Sequence, residues 1–290
     1  MTSIWIEAAR PRTLPAAVGP VLVGTAIADP VRPARAVAAL VVAVSLQIAV
    51  NYANDYFDGV KGVDRPDRVG PRRAVASGAV APRAMRTAVG VALCVSIAAG
   101  SYLILEVGFE LLWVGVPAIA AALAYSGGPR PYASAGLGEV FVFLFFGIVA
   151  TAGTYYVQTE NLGSVPFVCA VPIGALAVAI LLLNNLRDIP TDRAVRKLTL
   201  ATRIGEGGTV RLYIACLVVA VASAPLIAAI ADAPWALLAL GSAVLALPVA
   251  IEVHRHRADP RALIGALGDT ARLHLAYSLV LALGLTMSRA

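Results

Sequence analysis

Gln47 to Asp64, QIAVNYANDYFDGVKGVD, places polar and apolar demands on one short stretch. On a helix, Gln47, Asn51, Asn54, Asp55 and Asp58 fall at i, i+4, i+7, i+8 and i+11, positions that share one stripe. The residues between and before them are apolar. The stretch is thus a polar seam ending in carboxylates, carried on a segment otherwise suited to hydrocarbon. Amides and acids at membrane depth are costly, so they face a cavity, a ligand or an ion rather than lipid.

The rest of the chain agrees with a membrane setting. Its 290 residues are 59% hydrophobic and 14% charged, with mean hydropathy +0.81; soluble domains carry about 45–50% apolar and about 25% charged residues. Apolar runs recur near the roughly 20 residues that span a bilayer. Cys94, Cys169 and Cys216 lie in separate runs without CxxC spacing and read as packing residues. His254 and His256 sit among arginines in what reads as a solvated loop. No cleavable leader is evident. The net charge of +6 comes without a basic stripe interleaved with aromatics, so no nucleic-acid partner is implied.

Nine apolar segments are expected, near 13–28, 36–57, 84–105, 111–126, 136–157, 165–186, 210–231, 234–252 and 272–288. Pro117 interrupts the fourth, and 262–271 reads as a short interfacial helix before the last. With nine spans, Arg32, Arg35 and Arg289 are the only three of the 23 Lys and Arg residues on one side. The positive-inside rule then places the N-terminus in the cytoplasm. The expected fold is all-α, a polytopic bundle of nine transmembrane helices in a single domain, 1–290. Its cytoplasmic motif loops lie near 54–83 and 184–209.

The sixth segment repeats the pattern of the second. It ends LLLNNLRDIPTDRAVRK, with Asn184 or Asn185, Asp188 and Asp192 at successive helical turns. Pro190 removes a helical hydrogen bond between the acids, so Asp192 is expected to reach inward from a loop. Two acidic helix ends four spans apart suggest two quasi-repeated four-helix halves, plus a last helix, with the seams face to face. Carboxylates repel bare phosphate. Facing carboxylates rimmed by Lys61, Arg72, Arg73, Arg130, Lys197 and Arg203 therefore read as a clamp for Mg²⁺ and a diphosphate. A bland alternative is that these acids pair with neighbouring arginines in loops. A transporter with an acidic cation site is another, although spans three, five, seven and nine offer no acid near mid-bilayer.

With these residues in view the chain resembles the UbiA-type intramembrane prenyltransferases. Asn54-Asp55-x-x-Asp58 resembles the start of that family's NDxxDxxxD motif, and Asp188-x-x-x-Asp192 its second aspartate motif. The third acid of the first motif would fall at Gly62; the next acid is Asp64, a spacing usual in the branch that prenylates 1,4-dihydroxy-2-naphthoate. The chain is most similar to that branch through ARPRTLP (Ala9–Pro15), YSGGPRP (Tyr125–Pro131), GLGEVFVFLFFG (Gly136–Gly147) and the stretch from Asn184 to Gly205. CDP-alcohol phosphotransferases also join acidic helix ends to metal, but here Asp58-Gly59 is followed by Val60-Lys61 rather than AR.

The resemblance implies a site and a reaction. Mg²⁺ held by Asn54, Asp55, Asp58, Asp64, Asp188 and Asp192 would bridge a polyprenyl diphosphate, with Asp55, Asp58, Asp188 and Asp192 catalytic. Lys61, Arg73, Arg130, Lys197 and Asn185 would hold the diphosphate, and Arg10, Arg12, Asn51 and Tyr125 the aromatic acceptor. Tyr56, Phe57, Tyr125 and Tyr132 would offer π-faces to an allylic cation. The acceptor would be 1,4-dihydroxy-2-naphthoate, with hydroxybenzoate as the rival within the family. The setting would be the lipid bilayer of the cell membrane, with the site toward the cytoplasm.

Overall fold

The computed structural model describes residues 3–62, 69, 70, 72–129 and 131–289. Among these residues all regular structure is helical. A short α1 (Ile4–Ala9) and a 3₁₀ turn (Pro11–Thr13) lead into α2 (Pro15–Ala26), α3 (Pro33–Val60) and α4 (Pro82–Val107). Then come α5 (Phe109–Ala124), α6 (Gly138–Thr159), α7 (Ser164–Ala194), α8 (Leu200–Ile230), α9 (Pro234–Arg255) and α10 (Pro260–Met287). Seven of these, α3, α4 and α6 to α10, are long and apolar enough to cross a membrane. The two shorter apolar helices, α2 and α5, fall where the first and fourth segments are expected.

The helix starts follow from the sequence. Pro33, Pro82, Pro234 and Pro260 each open a helix, where a missing N–H costs nothing and φ is already helical. Thr199 caps α8 by accepting from Thr202 N, and Asp259 caps α10 by accepting from Arg261 N and Ala262 N. α3 gives way after Lys61 to Gly62, whose φ of 66° suits glycine.

Three expectations about helix ends fail. Pro190 does not end α7, which runs on to Ala194 and carries Asp192 on the helix itself. Packing against neighbouring helices can carry a helix through a proline, and α7 is buried on both sides of Pro190, at Ile189 and Asp192. Residues 262–271 are not a separate interfacial helix; with Asp259 as their cap they are the first turns of α10. Much of the expected motif loop near 184–209 is therefore helix: residues 195–199 connect α7 to α8, and α8 itself kinks at Gly205, whose φ of 70° and ψ of 176° are not helical.

α7 is the axis of the bundle: 72% of its apolar stretch is buried, against 22% for α4. It packs on α8, α10, α6 and α2. Leu176, Leu182 and Leu183 on α7, Tyr213 on α8, and Leu273, Tyr277 and Leu281 on α10 are fully buried in this core. Close approach relies on glycine. A Cβ on Gly147 of α6 would stand 2.7 Å from Gly174 Cα of α7, within the π-helical stretch Phe143–Val149. The outward faces are apolar as well, with Trp113 85% and Leu105 82% exposed. The most extensive pairings, α3 with α4 and α7 with α8, hold equivalent places in the two quartets α2–α5 and α6–α9.

The bundle end remote from Asp58 is tied by the three basic residues set apart by the charge pattern. Arg35, buried, donates to Val157 O at 3.0 Å, Glu106 O at 2.8 Å and Glu160 Oε1 at 2.7 Å. Arg32 reaches Glu160 at 2.6 Å, and Arg289 donates to Ala28 O at 2.7 Å. Hydrogen bonds from Arg35 and then Arg32 hold the Glu160 carboxyl below the usual carboxylate range.

The α6–α7 contact makes a direct prediction. Gly147→Leu lowers stability in detergent by about 1–3 kcal/mol through overpacking. Gly265→Ala, where an added Cβ meets nothing within 4 Å, leaves the apparent melting temperature unchanged or raised. Equal melting temperatures for Gly147→Leu and wild type would show that these helices do not touch.

Candidate active site

All five residues of the polar stripe on α3 are buried, and they divide three ways. Gln47, Asn51 and Asn54 line a cavity of about 320 Å³. Asn184 on α7 and Tyr125, Tyr132, Phe141 and Phe145 line it as well. Beyond this polar end the walls are apolar, among them Val42, Leu46, Leu103, Val114 and Val149. Thr13 organises the polar end. Its hydroxyl donates to Arg10 O at 2.9 Å and accepts from Gln47 Nε2 at 3.1 Å and Asn51 Nδ2 at 3.2 Å. Asn51 Nδ2 also donates to Ala9 O at 2.8 Å, so both amides are fixed in orientation.

Asp58 lies one turn beyond Asn54, and Asp188 and Asp192 lie one and two turns beyond Asn184. The two helix ends meet at Lys197, whose Nζ is 3.9 Å from Asp58 Oδ2 and 3.8 Å from Asp192 Oδ1. Arg73 Nη2 approaches the same Asp58 oxygen at 3.9 Å. Asp188 is held differently. Arg187 Nε and Nη2 donate to its two oxygens at 2.8 Å each, and Nη2 also donates to Asn184 Oδ1 at 2.8 Å. Both partners are largely buried, with side chains 3% and 10% exposed.

The remaining residues singled out in the sequence are placed as follows. Asp55 accepts backbone N–H bonds from Ala74 at 3.0 Å and Val75 at 2.9 Å. Lys61 donates to Ser126 O at 3.0 Å and Gly128 O at 3.2 Å, joining the end of α3 to the segment after α5, with its Nζ 5.5 Å from the Phe57 ring centre. Asn185 Nδ2 donates to buried Glu139 Oε1 at 3.0 Å, so it is Asn184 that faces the cavity. Arg10 lines the cavity, whereas Arg12 lies against α10 and donates to Ile264 O at 3.4 Å. Tyr56 and Phe57 pack edge to face on each other. Asp64 and Arg130 lie outside the described residues.

The sequence reading missed Thr13, Arg187 and, within the aromatic wall that Tyr125 and Tyr132 begin, Phe141 and Phe145. Tyr132 stacks on Phe141 with ring centres 4.2 Å apart, Tyr125 meets Tyr132 edge-on at 5.4 Å, and Phe145 continues the row. Burial raises the Tyr132 hydroxyl pKa, keeping the phenol neutral. The i, i+4 spacing of Phe141 and Phe145 was the available signal.

Among the described residues no three His, Cys, Asp or Glu side chains stand together as a metal cage. The donors present nonetheless fit Mg²⁺. Asn54 Oδ1 is buried without a hydrogen-bond partner among the described residues, one turn along α3 from Asp58. These are hard oxygen donors, and Mg²⁺ usually takes one or two carboxylates plus substrate phosphates and water rather than an all-protein cage.

The profile of the UbiA prenyltransferase family matches residues 17–276. The chain belongs to that family. It is 44% identical over 281 residues to the 1,4-dihydroxy-2-naphthoate octaprenyltransferase of Mycobacterium tuberculosis, covering 96% of this chain and 95% of that one. It is 41% identical over 227 residues to the enzyme of the same name from Escherichia coli, covering 74% and 73%. Among solved structures, a UbiA homolog from Aeropyrum pernix superposes with TM-score 0.71 at 19% identity over the full length of both chains. A UbiA homolog from Archaeoglobus fulgidus bound to GPP and Mg²⁺ gives 0.65 at 15% identity, covering 96% and 99%. These structures share the UbiA fold with this chain. With its apolar helices, this UbiA-family chain is a multi-pass membrane protein.

The Arg187–Asp188 pair can be tested by removing one partner. Arg187→Ala removes the bidentate partner of a buried carboxylate and should cost about 3–5 kcal/mol, read as a drop in apparent melting temperature in detergent. Adding Asp188→Asn should recover much of it. A single variant as stable as wild type would contradict a buried pair.

Proposed function

We propose that the protein is a membrane prenyltransferase that moves a polyprenyl group from its diphosphate onto 1,4-dihydroxy-2-naphthoate, with decarboxylation, in menaquinone biosynthesis. The geometric observation that carries this is the meeting of Asp58 and Asp192 at Lys197, next to the polar end of an apolar cavity. A charged diphosphate and a hydrocarbon tail require that pairing of environments. The naphthoate acceptor is supported by relatives named for it that align along nearly all of this chain. The Mg²⁺ requirement is supported by the oxygen donors and by UbiA homologs solved with GPP or DMAPP and Mg²⁺.

In this reading the whole chain is one domain of nine spans, α2 to α10, with the N-terminus and the active site toward the cytoplasm of the cell membrane. The asymmetric distribution of Lys and Arg supports that orientation. Asn54, Asp58, Asp188 and Asp192 are the residues that would hold Mg²⁺. When bound, the ion neutralises diphosphate and stabilises it as a leaving group. Arg73 and Lys197, already beside Asp58, hold phosphate oxygens and supply further positive charge where negative charge grows on the leaving diphosphate. The prenyl C–O bond breaks and the naphthoate carbon bearing the carboxylate attacks the allylic carbon. The new C–C bond forms as carbon dioxide departs, its bonding pair restoring the aromatic ring of the quinol.

The cavity sets the conditions for that step. Its apolar walls exclude water from an allylic cation, and the Tyr125, Tyr132, Phe141 and Phe145 rings provide π-faces along one side. Arg10, with Gln47 and Asn51 fixed through Thr13, forms the polar surface available to the hydroxyl and carboxylate groups of the acceptor.

Purified protein in detergent should convert 1,4-dihydroxy-2-naphthoate and a polyprenyl diphosphate to a prenylated quinol only when Mg²⁺ is supplied. Hydroxybenzoate should give no product. Asp192→Ala should lower kcat/KM by about 100-fold or more, the scale of losing one electrostatic contact to the transition state. Turnover of hydroxybenzoate in preference to the naphthoate would overturn the acceptor assignment. Substrate movement across vesicles without any product would favour a transporter.

A further inference from the structure

We propose that Asp55 is a positioning residue: it clasps the segment 72–80 against α3 so that Arg73 is presented to Asp58, and it does not ligate metal. The proposal rests on the prenyltransferase reading for what Arg73 does, but the clasp itself stands on separate geometry.

Asp55 follows Asn54 by one residue, and one residue on a helix is a rotation of about 100°. Asn54 and Asp58, four apart, share the face toward the cavity and Lys197, and Asp55 is turned off that line. Each of its oxygens receives one backbone N–H, Oδ2 from Ala74 at 3.0 Å and Oδ1 from Val75 at 2.9 Å, and the residue is 2% exposed. A carboxylate whose two oxygens each take a main-chain amide in a buried pocket acts as a fixed anchor for that backbone.

The rest of the segment is built around the anchor. Ser77 N donates to Arg73 O at 3.0 Å, Gly78 N to Val75 O at 2.9 Å and Val80 N to Ala74 O at 2.9 Å, closing a compact turn. A Cβ on Gly59 would stand 2.7 Å from Val75 Cγ1 and 3.2 Å from Ala76 N, so α3 carries glycine where the turn presses on it. Ala74, Val75, Val80 and Met85 form a small apolar core with Ala8. On the other side of Arg73, Glu7 Oε1 accepts from Arg72 N at 3.0 Å. The backbone is therefore pinned at 72, 74 and 75, which leaves the guanidinium of residue 73 directed to within 3.9 Å of Asp58 Oδ2.

A clasp and a metal ligand give different results on substitution. Asp55→Asn keeps the shape but offers one acceptor oxygen, and sets an NH₂ group against a main-chain donor. In wild type, Asp55→Asn and Glu7→Gln, measured without Mg²⁺ or substrate, amide hydrogen exchange across 72–80 should rise about tenfold or more in Asp55→Asn and less in Glu7→Gln. Exchange in α7 and α8 should stay unchanged, separating the effect from global unfolding. In turnover, Asp55→Asn should raise KM for the polyprenyl diphosphate about tenfold, while the Mg²⁺ concentration for half-maximal rate at saturating substrate stays at the wild-type value. Asp55→Asn combined with Arg73→Ala should be no worse than Arg73→Ala alone. Unchanged exchange at 72–80, a shifted Mg²⁺ requirement with normal diphosphate KM, or additive effects of the two substitutions would each overturn the proposal. Should wild-type protein show no prenyl transfer at all, the prenyltransferase reading fails, and the exchange comparison still decides the clasp.

Discussion

Asp58 and Asp192 come from helices more than a hundred residues apart in sequence, and at close range they repel. Lys197 lies within 4 Å of both. At that separation each opposite-charge contact carries a Coulomb attraction of about 4 kcal/mol at an effective dielectric near 20, before desolvation is counted. Arg73 adds a second positive group at Asp58. The helix ends can therefore converge without substrate, and the ammonium and guanidinium that hold them together are also suited to gripping phosphate.

The surrounding structure fixes that meeting point. Buried α7 gives Asp188 and Asp192 a rigid carrier, and Arg187 holds Asp188 and Asn184 in one hydrogen-bonded set. In the cavity lining, Thr13 locks Gln47 and Asn51, so the amide orientations of α3 are set before any ligand arrives. The glycine contact between α6 and α7 brings the aromatic row alongside the cavity. At the remote end Arg35 binds α3, α4 and α6 together through Glu160 and two main-chain carbonyls. Charge thus clamps both ends of a bundle whose middle is apolar.

The all-helical character and the buried stripe on α3 are legible in the sequence because both rest on periodicity: apolar runs of bilayer length, and polar residues spaced for one helix face. The segments expected as 36–57 and 84–105 became α3 and α4 with ends shifted by only a few residues. Features that depend on what a side chain meets were not legible. Pro190 signals a break, yet tertiary packing carries α7 through it. Arg187 counts only as one of many basic residues until the fold sets it bidentate on the adjacent acid. Lys61 reads as a phosphate ligand by proximity to the motif, although it donates to carbonyls after α5. Asp55 and Asp58 look equivalent on a motif line; the difference in their partners appears only when the segment beyond residue 71 folds back on α3.

The central claim is that the two acidic helix ends form one site for metal and diphosphate. It is tested most directly by crystals grown with Mn²⁺ and a non-hydrolysable polyprenyl thiodiphosphate, using anomalous scattering from manganese to locate the ion. The account predicts a peak between Asp58 and Asp192 with phosphate oxygens beside it and Lys197 turned toward the diphosphate. A manganese peak remote from both aspartates, or diphosphate bound away from them, would contradict it.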